Sequence, residues 1–101
     1  MKTVNINGVD YQVDDRFADF TIHQKPSSNV AFFGYNEDGH FFIQFQNGGA
    51  YVYEHIEADV IAGAVQAESI GKYYRAFIAV KHPSTKLTDS IVLVPEKAVD
   101  F

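Results

Sequence analysis

The sequence predicts an α+β domain: an antiparallel sheet made of an N-terminal hairpin, a central three-stranded meander and a C-terminal strand, covered on one face by two consecutive helices. Three observations carry this. Short apolar runs of period two are separated by glycine- and asparagine-rich turns, the apolar spacing switches to that of a helix after Ile56, and strand pattern resumes near the end. With 101 residues the chain is read as one domain spanning 1–101, large enough to bury a core without disulfides or metal.

The opening TVNINGVDYQV places Asn7-Gly8 between two alternating runs, which marks a two-residue hairpin with strands near 3–6 and 9–13, because both turn residues need positive φ. DDRFADFTIHQKPSS follows, and its Phe17, Phe20 and Ile22 fit either one helical turn or an irregular apolar plug. Lys25-Pro26 breaks any helix there. From Asn29 the runs NVAFFGY, FFIQFQ and AYVYEH, joined by NEDGH and NGG, read as the meander. Period two puts Phe41, Ile43 and Phe45 on one face, Phe42, Gln44 and Gln46 on the other, and turns Tyr51 and Tyr53 the same way.

Val60, Ile61, Ala64 and Val65 then form a helical stripe, with Glu57 and Asp59 placed to suit the positive end of the helix dipole. Ser69 is the expected N-cap of a second helix running to about His82, before Pro83. In that helix Ile70, Tyr73, Tyr74, Phe77 and Val80 are expected inward, while Lys72, Arg75, Ala79 and His82 share another face. SIVLVPEK gives a last strand near 90–94, with Pro95 at its end.

Composition narrows the function. Hydrophobic residues make up 47% and aromatics 15% of the chain, too much apolar content for a disordered segment. Without cysteine there is no thiolate nucleophile, thiolate metal site or disulfide. No apolar run approaches the length of a membrane span and the start lacks a signal-peptide core, so the expected location is cytoplasmic, with no membrane partner. The formal charge of −5 opposes generic phosphate affinity. That total hides an asymmetry, since residues 69–88 carry four basic groups and no acid. The surplus of phenylalanine makes a self-associating patch, and hence a homo-oligomer, a reading to test.

The run from Pro26 to Pro83 resembles the KTSC domain, a module of about sixty residues found alone in bacterial and phage proteins and at the C-terminus of some lysyl-tRNA synthetases. Ser27-Ser28-Asn29, Gly34-Tyr35, the Phe45 strand with Gly48-Gly49, the Y-x-Y of Tyr51-Val52-Tyr53, then Ala67, Ser69, Gly71, Tyr73, Tyr74 and Ile78 carry the resemblance, over a core of 26–83. Two positions depart from the family: Ile56-Glu57 stands where it usually has Val-Pro, and Arg75 where it often has Asn. The resemblance implies a bacterial cytoplasm, with phage encoding compatible, and an RNA connection through the synthetases.

The candidate binding residues are Lys72, Arg75, Tyr73, Tyr51, Tyr53, Lys81 and His82, with Lys86 nearby. Tyr51 and Tyr53 on one strand face have the geometry to stack on bases, but the favoured expectation is that they pack under the helices with their hydroxyls bonded to backbone or to Ser69. Gly71 is expected to admit a close approach of helix to sheet. His23, His40, His55 and His82 lack the spacing of a zinc motif, His55 and Asp59 being a weak pair, and no nucleophile motif or phosphate-cradling loop occurs, so no catalytic residue, metal or cofactor is expected. The expected function is a small non-enzymatic binding module acting through protein–protein interaction, of the kind a phage or other mobile element uses as an inhibitor. The alternatives are RNA or other nucleic-acid recognition through the Y-x-Y strand and basic helix face, and a small nucleotide-like ligand.

Overall fold

The computed structural model describes residues 2–25, 27–87 and 91–93. In chain order it contains strands β1 (Lys2–Ile6), β2 (Val9–Val13), β3 (Thr21–His23), β4 (Val30–Tyr35), β5 (Phe41–Phe45) and β6 (Ala50–Tyr53), helices α1 (Ala58–Gln66) and α2 (Ile70–Tyr74), and strands β7 (Ser84–Leu87) and β8 (Val92–Leu93). All pairing is antiparallel, so the α+β class is as expected.

The strands divide between two sheets, one of order β1-β2-β8 and one of order β3-β4-β5-β6-β7. The hairpin closes where predicted, with Asn7 at φ 53° and Gly8 at φ 86°, the left-handed pair that a two-residue turn requires. The meander also forms, with Phe41 opposite Tyr53 and Ile43 opposite Tyr51. Ala31 is an extra residue between the pairs Val30–Phe45 and Phe32–Gln44, and this bulge sends Val30 to one face of the sheet and Phe32 to the other.

The ambiguous segment after β2 resolves into a short 3-10 turn, Asp15–Phe17, followed by β3 on the edge of β4. Asp14 caps the turn: its carboxylate accepts from the Arg16 backbone N–H at 2.9 Å and from the guanidinium at 3.0 Å. That carboxyl is held below the ordinary range by the Arg16 side-chain and backbone hydrogen bonds. At the opposite edge β7 pairs with β6, a strand the sequence reading passed over because STKL has no alternating apolar pattern.

The five-stranded sheet is covered on both faces. On one, Phe33, Phe41, Ile43 and Tyr53 meet Ile61 and Ala64 of α1 and Ile70, Tyr74 and Ile78 of the second helical segment. On the other, Phe32, Phe42 and Ala50 meet Ile6, Val13, Phe17 and Val92 of the hairpin, the 3-10 turn and β8. The abundance of phenylalanine therefore fills two interiors. Glycine at position 34 serves the second, because a Cβ there would press into the Phe42 ring and the Thr21 carbonyl.

Two polar links tie distant parts together. Lys25 donates to the Val65 and Ala67 carbonyls, the latter at 2.7 Å, and so caps the C-terminal end of α1 from forty residues away. Gln44, 5% exposed, donates to the Val92 carbonyl at 2.9 Å and accepts from the backbone N–H groups of Ile91 and Val92 at 2.7 and 2.9 Å. The Gln44 amide thereby holds the last strand on the sheet as a neighbouring strand would. The expected C-terminal strand near 90–94 is observed at Val92–Leu93; residues 90 and 94 lie outside the described ones.

Candidate functional site

The second helical segment, which carries the candidates Lys72, Tyr73 and Arg75, begins as expected, with the Ser69 hydroxyl accepting from the Lys72 N–H at 3.4 Å. It then departs from a regular α-helix. Residues Arg75–Ala79 form a π-turn, and helical structure ends at Ala79 instead of His82. The widened turn places Ile78 inward, at 0% exposure, in line with Ile70 and Tyr74. Phe77 and Val80, expected inward from α-helical spacing, are 45% and 74% exposed.

The two meander tyrosines do not form an open platform. Tyr53 is buried and its hydroxyl shares a hydrogen bond with that of Tyr74 at 2.5 Å. Tyr51 is half-buried on the same face, edge-on to Phe45, whose ring also meets Tyr74 edge-on. The packing expectation holds, but the hydroxyl partner is Tyr74 and not backbone or Ser69. Burial first, then the Tyr53 hydrogen bond, pushes the Tyr74 phenol well above its ordinary value, so it stays protonated at any physiological pH.

Of the remaining candidates, Tyr73 and Lys81 meet in one place and Arg75 lies in another. Along the outside of the second helix Tyr73 lies on Phe77 with ring centroids 4.7 Å apart, and the Lys81 ammonium sits 5.6 Å from the centre of the Phe77 ring. Together with exposed Val80 this makes an apolar ridge bordered by the Lys81 ammonium. Tyr73 is anchored, since its hydroxyl donates to the Val60 carbonyl of α1 at 2.8 Å, passing over Gly63, where a Cβ would collide with the phenol. Gly63 is thus the glycine that close packing requires. Gly71, expected in that role, has only the Arg75 guanidinium near the place a Cβ would take. His82 is half-buried just past the helix, and its N–H bonds the Ile78 carbonyl.

Arg75 is separate from that ridge. It overlooks a cleft of about 460 Å³ between the helix, the residues before β4 and the β5–β6 turn. Lys72, exposed on the first turn, does not line it. Lys86 stands opposite Tyr51 across β6 and β7. Among the described residues no carboxylate pairs with Lys72, Arg75, Lys81 or Lys86. A larger cleft of about 630 Å³ lies between the β3–β4 edge and α1, with Asp19, Glu37 and Asp38 at its rim and Ile56, Ile61 and Val65 on its wall. No group of three metal-ligating side chains occurs among the described residues, and none of their helices is long and apolar enough to cross a membrane.

Sequence reasoning found the cations and the buried tyrosines but missed the ridge, because a π-turn leaves no mark in residue spacing. The side chains facing Arg75 were also missed, lying in turns whose folding back onto the helix is a tertiary fact.

Comparison with known proteins agrees with this architecture. The model of the KTSC domain family matches residues 26–81. The crystal structure of a KTSC domain protein from Yersinia pestis superposes with a TM-score of 0.62 at 25% identity, covering 67% of this chain and 97% of that one. No curated protein matches the chain.

Proposed function

This chain belongs to the KTSC domain family, and we propose that it works as a non-enzymatic binding module whose outer helical ridge docks an acidic patch on another protein. The observation that carries the reading is the outward turn of Phe77 and Val80, 45% and 74% exposed, within the one basic stretch of an acidic molecule. An aromatic ring already packed against Tyr73 loses little freedom on binding, and Lys81 beside it favours a carboxylate-bearing surface. The non-enzymatic part rests on the sequence, which carries no nucleophile motif. Location in a bacterial cytoplasm and an inhibitor role for a mobile element are consistent with this reading.

Nucleic-acid recognition draws on the same cations, yet the phenols it needs as a stacking platform, Tyr51 and Tyr53, are turned into the core. The test is a photo-crosslinking residue at exposed Ala76, introduced in the native cell. The expected result is a dominant adduct to an acidic protein, reduced about tenfold by Phe77→Ser or Lys81→Glu and weakened by salt. Adducts to RNA, adducts only to a second copy of this chain, or adducts indifferent to both substitutions would each overturn the proposal.

A further inference from the structure

Gly71 occupies the first turn of a helix, where alanine would be the better residue and where no positive φ calls for glycine. Packing does not call for it either: a Cβ built there would have only Arg75 Nη2 nearby, at 4.0 Å. The contrast with Gly63 and Gly34, each pressed against a neighbouring ring, is direct. What the bare backbone at Gly71 leaves open is the cleft of about 460 Å³ that Arg75 overlooks, within the usual size of a small-ligand site.

The walls of that cleft are chemically specific. Phe45 and Tyr74 supply aromatic surface, and Arg75 is the one charged group. Its Nε lies against the Gly71 carbonyl at 3.4 Å, which lays the guanidinium along the helix and leaves its other N–H groups unpaired among the described residues. Asn47 is fixed by accepting from the Gly49 N–H at 2.9 Å, so its amide nitrogen is free to donate. Gln46 closes the wall beside it, its side-chain nitrogen donating to the Val30 and Ser27 carbonyls at 3.3 and 3.4 Å. An oriented amide donor beside aromatic surface, with one cation at the mouth, matches a flat heterocycle bearing a single anionic group.

We propose that the cleft between Ser28-Asn29, Gln46-Asn47 and the Gly71–Arg75 turn binds a nucleoside monophosphate, with the phosphate on Arg75 and the base against Phe45, its edge toward Asn47. These residues are distinct from the Phe77–Val80 ridge, so failure of either proposal leaves the other standing.

Calorimetric titration of the whole chain with the four common nucleoside 5′-monophosphates, with the uncharged nucleosides and with inorganic phosphate tests it. At least one nucleotide is expected to bind with Kd below ~1 mM, about tenfold or more tighter than its nucleoside and than phosphate alone. Arg75→Gln, an exposed change, should weaken it about tenfold. Gly71→Leu should abolish binding by filling the cleft, and Gly71→Ala should weaken it while holding or raising Tm, which covers the case in which leucine perturbs the helix. Absence of saturable binding by every nucleotide, equal affinity for phosphate alone, or unchanged affinity in Arg75→Gln and Gly71→Ala would overturn the proposal.

Discussion

His23 shows how one side chain can report on the fold. Its ring stacks on Phe33 and Tyr35, with centroids 5.3 and 5.6 Å away. Burial, and secondarily the Lys25 charge, lowers its pKa below the ordinary imidazole value of 6.5. The native ring therefore favours the neutral form, and the unfolded chain takes up the proton more readily. The stability this contributes is complete above the unfolded pKa and is lost as pH falls through the lowered native one. Urea midpoints measured from pH ~7.5 down to ~5 should fall, and His23→Gln should flatten part of that decline; parallel curves for the two proteins would contradict the assignment. The sequence showed this histidine but not its stacking, because β3 is recognisable as a strand only through its partner β4. The two helical glycines teach the same lesson, since only tertiary contact reveals that it is Gly63, and not Gly71, that makes room for a ring.

At the scale of elements, legibility followed the strength of the local code. The Asn7-Gly8 hairpin and the meander were readable because turn chemistry and period two agree. The second helix was readable at its start, where Ser69 caps it, but not at its end, where one widened turn exchanges Phe77 for Ile78 on the inner face. The exchange has a measurable signature. Ile78→Ala should cost about 2–4 kcal/mol in denaturant unfolding, as fully buried aliphatics do. Phe77→Ser should cost under about 1 kcal/mol, as surface changes do. The reverse order would mean that the helix continues in regular α form. Strand β7 was illegible for a different reason: it is polar, with Ser84, Thr85 and Lys86 exposed, and is held by main-chain pairing to β6.

For the whole molecule, the family match spans 26–81, and the hairpin and β8 that cover the far face of the central sheet lie outside it. Sequence patterning indicated these strands but not that they form a sheet of their own. Gln44 is the polar link that joins β8 to the center of the sheet. Replacing it with leucine leaves three backbone groups without that partner and should cost about 3 kcal/mol. Hydrogen exchange at the Ile91 and Val92 amides should accelerate markedly; protection equal to wild type would show that the strand is held by other means.

Covering both faces of a five-stranded sheet leaves only its two margins for a neighbouring chain to extend. One margin is β3, three residues long, and the other is β7, which presents a lysine where a growing fibril would need an apolar side chain. In a protein with nine phenylalanines, this sheet is in this way denied an apolar margin on which copies could stack into amyloid.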